Sequence, residues 1–208
     1  MTCGAPLIRA YQPRDFDAVS DVCLRTGQRG DDATGIYSSD DLLPDIFARP
    51  YLMLEPELAF VVDDGERVSG YILCAPDTAR FVERYRSEWL PAFSAKHEHV
   101  SVPQTADERM RHHGFTPERM LIPELDQYPA HLHIDLLPAF QRQGLGRALV
   151  RTLIAALQQR GVRGLHLSMD PANTDARAFY DRVGFVELPS STAQSPLLGV
   201  GIPPARPG

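Results

Sequence analysis

A chain of 208 residues with 43% hydrophobic residues is long enough to bury one sizeable core. Its net charge of −6 at pH 7 disfavours nucleic acid as a partner, because nucleic-acid-binding surfaces carry clustered positive charge. No apolar run approaches the roughly 20 residues of a membrane-spanning helix, and no signal-peptide pattern opens the chain, so no membrane partner is expected. Cys3, Cys23 and Cys74 are odd in number and show no paired spacing. This pattern favours a reducing, cytoplasmic location over a disulfide-stabilised exterior.

The first part of the chain predicts two helices between a strand and a β-hairpin. Pro13 suits the first turn of a helix, and Phe16, Val19 and Cys23 follow at helical spacing. An Asp-Asp-Gly-Glu turn at 63–66 indicates the hairpin. The predicted elements are a strand at 7–10, the helix from Pro13, a polar loop at 27–35, a short helix at 40–47 and strands at 58–62 and 68–73.

Residues 77–127 differ from the rest because four prolines interrupt them. Phe81, Tyr85 and Trp89 predict one helix with an aromatic stripe, and a second helix is expected at 105–113. Short helices and loops should therefore form an insertion before the next strand, at 131–137. We expect the aromatic stripe to pack on the core, although the insertion is also positioned to cover a pocket.

The last part of the chain alternates helices and strands. Apolar residues at helical spacing predict a helix from Leu145 that ends near Gly161. Asn173 or Thr174 is suited to cap the next helix. Strands are expected at 165–169, 184–188 and 197–202, and the tail at 203–208 is expected to fray. Residues 1–208 are thus expected to form a single α/β domain of the α+β type.

The most informative stretch runs from Leu132 to Arg147, where a buried strand turns into a glycine-bearing loop that opens a helix. Such a junction presents free backbone N–H groups and the positive end of a helix dipole to an anion. Gly144 and Gly146 let the backbone approach a phosphate closely. Arg142 and Arg147 both add positive charge beside that phosphate. The implied ligand is a nucleotide-like pyrophosphate.

Three commoner phosphate sites are excluded. The dinucleotide-binding fingerprint requires a third glycine where Leu149 stands. A nucleoside-triphosphatase loop requires Gly-Lys-Ser/Thr, but the sole lysine of the sequence is Lys96, outside the loop. The glycine-rich strand pair and downstream Asp motif of a kinase are also absent from the sequence.

The remaining pattern, Gln-x-x-Gly-x-Gly at 141–146 after a strand ending in Leu-Pro, resembles motif A of the GNAT acetyltransferases. A second run, Asn-x-x-Ala-x-x-x-Tyr at 173–180 followed by Gly-Phe at 184–185, is similar to another motif of that family. The order of the elements extends the resemblance over nearly the whole chain. It implies the GNAT fold, with a mixed, mostly antiparallel sheet of about seven strands flanked by helices and with residues 77–127 inserted before the central strand.

A narrower likeness is to the acetyltransferase-like C-terminal domain of eukaryotic O-GlcNAcase. It is carried by the run at 51–61, by Gly-Tyr-Ile-Leu at 70–73 and by Trp-Leu-Pro at 89–91. The chain resembles a free-standing bacterial relative of that domain which retains the glycine loop. The sequence contains no glycosidase portion, so sugar hydrolysis is not expected.

The GNAT resemblance implies acetyl-CoA as co-substrate. The backbone at Leu136 and Leu137 would pair with the pantetheine arm, and the amides from Gln143 to Arg147 would hold the pyrophosphate. Backbone N–H groups near Leu136 are also placed to polarise the thioester carbonyl. The implied cofactor-binding residues are Leu136, Leu137, Arg142, Gln143, Gly144, Leu145, Gly146, Arg147, Asn173 and Tyr180.

Three residues are candidates for catalysis. Tyr180 occupies the position at which the family protonates the leaving thiolate, although its helical spacing also fits a core tyrosine. Asn173 is placed to hydrogen-bond the cofactor or simply to cap its helix. Asp135, in an apolar strand, is a candidate general base or amine-orienting residue with a raised pKa; the alternative is a carboxylate paired with an arginine or with backbone N–H groups. The glutamate base of some family members would fall near Ala130, so the base stays open.

His131, His133 and Asp135 alternate along the strand and should share one face. Such a set resembles half of a metal site, but no further ligand set is evident and no metal is expected. One or both histidines are better suited to line an acceptor cleft. The acidic loop at 30–35 is a second candidate for acceptor recognition, where it would favour a cationic amine; the alternative is a flexible connection.

The leading function is an acetyl-CoA-dependent N-acetyltransferase that moves acetyl directly to a primary amine of a small molecule or peptide. The first alternative is a non-catalytic acetyl-CoA-binding or protein-interaction module. The second is a metal-dependent hydrolase built on the strand at 131–135. Acceptor pockets differ in loops rather than in motifs, so the acceptor stays open, as does the choice between monomer and homodimer.

Overall fold

The computed structural model describes residues 5–204 and places seven strands in one sheet, in the order β1-β2-β3-β4-β5-β7-β6. Neighbouring strands pair antiparallel except β4 and β5, which pair in parallel. The mixed, mostly antiparallel α/β sheet predicted from the sequence is therefore confirmed. The strands are β1 (Leu7–Ala10), β2 (Ala59–Asp63), β3 (Val68–Ala75), β4 (Ala130–Leu136), β5 (Gly164–Ser168), β6 (Val186–Glu187) and β7 (Leu197–Gly201).

Helices cover both faces of this sheet. No helix within residues 5–204 is both long and apolar enough to cross a bilayer. The helices are α1 (Phe16–Thr26), α2 (Leu42–Phe47), α3 (Arg49–Leu54), α4 (Thr78–Arg84), α5 (Leu90–Lys96), α6 (Ala106–Phe115), α7 (Leu145–Gln159) and α8 (Thr174–Arg182).

β3 lies near the centre of the sheet, and every one of its residues is buried. Burial on both faces follows from helices on both sides. Tyr71 and Leu73 belong to a core formed with α1, α2, α3 and the aromatic stripe, whereas Ile72 and Cys74 belong to a core formed with α7 and α8. The alternation of side chains along one strand thus feeds two separate cores.

The parallel contact between β4 and β5 is short. In the described chain, β5 pairs with β4 at Ala130 and His131, whereas β3 pairs with β4 from His131 as far as Leu136. The two strands therefore diverge beyond His131, and the C-terminal half of β4 has β3 on one side and a gap on the other.

The segment at 78–96 is helical throughout, but it is not the single α-helix predicted from the sequence. A π-helical turn at Tyr85–Trp89 joins α4 to α5. Pro91 does not interrupt the segment, because it occupies the first turn of α5, where its missing N–H would have no helical acceptor anyway. The expected packing of the stripe on the core is confirmed, since Phe81 and Trp89 are at most 9% exposed.

The structure differs from the prediction in one added helix and one shortened strand. α3 is an additional helix, which the sequence patterns did not predict. The strand expected at 184–188 shortens to β6, because Gly184 still belongs to the turn after α8, with φ +94°. Cys3 and the last four residues of the predicted tail lie outside the described residues.

Gly164 and Gly201 face each other across β5 and β7 and form a matched pair for testing the packing at the base of the gap. A methyl group on Gly164 would come within 2.2 Å of the Gln127 carbonyl oxygen, whereas one on Gly201 would meet no atom within 4 Å. Overpacking costs about 1–3 kcal/mol. Gly164→Ala should therefore lower the Tm by several degrees in thermal unfolding followed by circular dichroism, and Gly201→Ala should stay close to wild type. Equal Tm values for the two variants would contradict this packing.

Candidate active site

The N-terminus of α7 is built by a loop with two left-handed backbone conformations. Arg142 has φ +61°, and Gly144, the N-cap, has φ +83°. A Cβ at Gly144 would meet no atom within 4 Å, so the loop is open on that side. The Ala148 N–H donates to the Gly144 carbonyl, and no side chain caps the helix. The N–H groups of residues 145–147 precede this bond and point out of the helix end, as an anion site requires.

Gly146 packs closely against α8 and the end of β4. A Cβ there would lie 3.2 Å from the Phe179 ring and 3.5 Å from Leu136 Cδ1. The missing side chain lets the first turn of α7 contact both α8 and the end of β4. Gly146 therefore sets how closely the open helix end approaches the strand edge.

The C-terminal half of β4 presents a free hydrogen-bonding edge to the gap. Successive residues in an antiparallel ladder direct their N–H and C=O groups to opposite sides. The Leu137 N–H donates to the Ser69 carbonyl of the β3 side at 3.0 Å. Leu136 therefore directs its backbone groups to the gap, whereas the Leu137 N–H is already used and is not available to pair with a ligand.

Side-chain amides hold the loop between β4 and α7 in shape. Gln141 Nε2 donates to the Leu136 carbonyl at 2.9 Å, and Gln143 Nε2 donates to the Ala139 carbonyl at 2.7 Å. The donors in these bonds are side chains, so these two bonds use none of the backbone N–H groups of the loop. The glutamine of the sequence motif thus ties the glycine loop to the free edge of β4.

Asp135 lies beside Tyr71 at the cleft end of β4. The Tyr71 hydroxyl donates to Asp135 Oδ2 at 2.5 Å, and no arginine or lysine of the described chain lies within 4.0 Å of this carboxylate. Burial raises the pKa of Asp135 to about 7, although the hydrogen bond from Tyr71 opposes this shift. The alternative of an arginine-paired aspartate is thereby removed. Asp135 is a carboxyl group that titrates near neutral pH.

Tyr180 is close enough to Asp135 for the carboxylate charge to affect its hydroxyl. Its ring packs 5.4 Å from Phe185 and is 8% exposed, which fits a core tyrosine. However, its hydroxyl has no hydrogen-bond partner among residues 5–204. Every fully buried side-chain polar atom in those residues has a partner, so the Tyr180 hydroxyl is accessible to solvent. Burial and the nearby Asp135 carboxylate raise the pKa of Tyr180, so the phenol holds its proton at neutral pH.

The remaining predicted residues flank the loop. Asn173 is confirmed as the N-cap of α8, because its Oδ1 accepts from the Ala176 N–H at 3.0 Å. A bond from Asn173 to a cofactor stays a prediction. Arg142 lies 3.5 Å from Asp175 in the first turn of α8, and Arg147 is exposed on α7.

His131 is a core residue. It is 5% exposed, with Nε2 at 2.8 Å from the Tyr51 hydroxyl and Nδ1 at 2.8 Å from the Thr78 hydroxyl. Of the two histidines, His131 therefore does not line the cleft, and a cleft position for His133 stays a prediction. His133 is half-buried, 3.0 Å from the Tyr51 hydroxyl, and burial lowers its pKa to about 3. No group of three His, Cys, Asp or Glu side chains within residues 5–204 is arranged to hold a metal.

The polar loop between α1 and α2 crosses the gap. Arg29 Nε lies 2.9 Å from Asp170 Oδ2, beyond the end of β5. A Cβ at Gly30 would lie 3.9 Å from Gln141 Nε2, so the loop also approaches the glycine loop. It is thus ion-paired on one side of the gap and approaches the glycine loop on the other, and its role in acceptor recognition stays a prediction.

Two residues on the Asp135 side of β4 were not predicted from the sequence as site residues. Tyr71 could have been found from the pattern, since it is a tyrosine in an otherwise aliphatic strand. Arg119, which follows α6 and stacks on Phe47 at 5.6 Å, had no such signal. Its position depends on how the insertion folds back on α2.

Comparison with known proteins assigns this arrangement to a family. The model of the Acetyltransferase (GNAT) family matches residues 31–185. The crystal structure of SsHAT superposes with a TM-score of 0.90 at 47% identity, covering 96% of this chain and 100% of that one. The resemblance to the GNAT fold is confirmed.

Two protein relatives are informative. Protein O-GlcNAcase of Rattus norvegicus is 24% identical over 186 residues, or 87% of this chain, which spans 20% of that protein's length. The ribosomal protein bS18 alanine N-acetyltransferase of Escherichia coli K12 is 50% identical over 55 residues, which are 26% of this chain and 37% of that enzyme. The predicted likeness to a region of O-GlcNAcase is therefore confirmed.

Asp135→Asn should stabilise the protein increasingly as the pH rises from about 4 to about 7. A folded pKa of about 7, above the unfolded value near 4, means that the folded state binds more protons, so wild-type stability falls across this window. Asparagine is neutral throughout. Above pH 7 the variant should be more stable by about 2 kcal/mol, after allowance for solvent screening.

The measurement is denaturant unfolding of both proteins from pH 4 to pH 8, with Asp126→Asn as the control. Asp126 is exposed and forms no ion pair within the described chain. A constant difference in unfolding free energy between Asp135→Asn and wild type would show that Asp135 does not titrate in this window.

Proposed function

The chain belongs to the Acetyltransferase (GNAT) family, and from that premise we propose that it is an acetyl-CoA-dependent N-acetyltransferase that acts on a primary amine. The strongest support is one juxtaposition. The edge of β4 that faces the gap is followed, after the loop at 137–144, by the open N-terminus of α7, with Asp135 and Tyr180 beside it. A purely protein-binding module has no need for two proton-transfer groups with shifted pKa values at that point.

The described residues suit the parts of acetyl-CoA. The N–H groups of residues 145–147 offer donors to the pyrophosphate, and Arg142 and Arg147 add positive charge. The Leu136 N–H offers the pantetheine arm a donor on the strand edge, whereas the Leu136 carbonyl already accepts from Gln141 Nε2. When bound, acetyl-CoA supplies the activated acetyl thioester. Binding, orientation and proton transfer belong to the chain.

The transfer requires one proton to leave the amine and another to reach the sulfur. The amine nitrogen bonds to the acetyl carbon as the carbon–sulfur bond breaks. Asp135 accepts the amine proton, because a carboxyl group with a pKa of about 7 is substantially deprotonated at neutral pH and still basic enough to hold a proton. Tyr180, protonated because its pKa is raised, donates its hydroxyl proton to the sulfur. Exchange with solvent then restores both residues.

Gly144→Glu should abolish micromolar binding of acetyl-CoA in calorimetric titrations. The substitution places a carboxylate at the open helix end and forces a left-handed backbone on a residue with a Cβ. Gly161→Glu is the matched control, since Gly161 has φ +70° with no atom near a Cβ and lies at the opposite end of α7.

The control should bind acetyl-CoA as wild type does. Equal binding by both glycine variants would exclude the helix end as the pyrophosphate site. Failure of the wild-type protein to bind acetyl-CoA would contradict the enzyme and support the interaction module that the sequence also allows.

Two variants separate the proton transfers in assays of thiol release. Tyr180→Phe should lower kcat by about 10²-fold or more with an unchanged KM for acetyl-CoA, because the phenol acts on the leaving group only during reaction. Asp135→Asn should remove the rise of wild-type kcat/KM through about pH 7. Tyr11→Phe, beyond β1 at the far edge of the sheet, serves as control. Wild-type kinetics in Tyr180→Phe would refute its role as the acid.

A further inference from the structure

Arg119 is unlike the other arginines of the described chain. Each of the others is either exposed to solvent or lies within 4.0 Å of a carboxylate, as Arg49 does with Asp45 at 2.8 Å. Arg119 is half-buried and has no carboxylate within that distance. Withdrawing a guanidinium from water without a counter-ion is costly. A cation kept in this state suits an anion that arrives from outside.

The contacts of Arg119 leave the tip of its guanidinium free. Nε donates to the His113 carbonyl at 3.1 Å, and the Phe47 ring covers one face of the group at 5.6 Å. Neither Nη atom has a hydrogen-bond partner within residues 5–204. Every fully buried side-chain nitrogen and oxygen in those residues has a partner, so the Nη atoms are accessible to solvent. The two Nη groups are therefore open to a ligand, in the forked arrangement that binds an anion through two N–H donors.

Arg119 lies on the same side of β4 as Asp135. Phe47, which stacks on Arg119, is also 5.4 Å from the ring of His133. His133 precedes Asp135 by two residues, so their side chains leave the same face of the strand about 7 Å apart. Phe47 and His133 thus form a continuous wall between the free guanidinium and the carboxyl group that we assign as base.

The charge around this wall favours an anion with a single charge. Burial and the neighbouring Arg119 charge lower the pKa of His133 to about 3, so it is neutral at physiological pH. Arg119 then supplies the positive charge at the end of the wall. A carboxylate matches one guanidinium in charge and in bidentate geometry, whereas a phosphate dianion would leave one negative charge uncompensated.

We infer that Arg119 binds a carboxylate of the acceptor, and that the acceptor is an amino-acid-type molecule whose amine reaches Asp135 while its carboxylate pairs with Arg119. This inference rests on the proposed N-acetyltransferase function and narrows its substrate class. It adds a carboxylate to the cationic amine that the acidic loop at 30–35 would favour.

The test is a series of ω-amino acids, β-alanine, 4-aminobutyrate and 5-aminopentanoate, each measured beside its uncharged carboxamide. Thiol release from acetyl-CoA gives kcat/KM, and calorimetry on the CoA-loaded protein gives binding. At the chain length that spans the wall, wild type should prefer the carboxylate by about tenfold or more, mainly through KM. Arg119→Gln should abolish this preference, and Arg119→Lys should retain part of it.

The wild-type series decides the question even if a variant at Arg119 folds poorly. Equal use of carboxylates and carboxamides at every chain length overturns the inference. A protein that binds acetyl-CoA but neither binds nor acetylates these carboxylates also overturns the inference. That result leaves the proposed acetyltransferase function intact. If the wild-type protein does not bind acetyl-CoA, the proposed function is wrong, and the carboxylate-binding role of Arg119, which depends on it, is wrong as well.

Discussion

Backbone N–H and C=O groups inside a sheet have to find partners, and β4 leaves those of its C-terminal half without a strand partner on one side. The cause is the short register with β5, which pairs at Ala130 and His131 before the strands diverge. On the other side, β3 holds β4 in place as far as Leu136. This one-sided support produces a rigid strand with a free edge, and the glycine loop, the open end of α7 and the cleft residues are all positioned relative to it.

Asp45 and Asp135 show how the surroundings set the chemistry of an aspartate. Asp45 is fully buried and contacts Arg49, Lys96 and His97, and these cationic and hydrogen-bonding partners hold its pKa below the usual value. Asp135 has a tyrosine hydroxyl as its neighbour instead of a cation, so burial dominates and its pKa rises. The first arrangement stabilises an ion pair that joins α2 to α5. The second keeps a base available near neutral pH.

The insertion between β3 and β4 contributes to the cleft as well as to the core. Its aromatic stripe packs on α3, where Tyr51 stacks on Phe81 at 4.5 Å. This packing returns the chain to the edge of the cleft and places Arg119 against Phe47. The motif at the glycine loop belongs to the proposed acetyl-CoA site, whereas the wall of Phe47 and His133 belongs to the proposed acceptor side.

The sequence alone determined the features that depend on neighbouring residues. The strand, glycine loop and helix at 132–147 could be predicted because a positive φ, an uncapped helix start and apolar periodicity are local properties. The cap at Asn173 is of the same kind. The shared face of His131 and Asp135 follows from the two-residue period of a strand.

Only the tertiary structure decided which backbone groups and side chains meet. Leu136, and not Leu137, directs its backbone to the gap because the register with β3 fixes the alternation of the ladder. Tyr71 reaches Asp135 across 64 positions of sequence. The guanidinium of Arg119 is open because no carboxylate of residues 5–204 lies within 4.0 Å of it, and that spacing cannot be derived from local patterns. Such contacts arise from packing between distant segments, so the sequence supplied the chemical groups and the fold selected their partners.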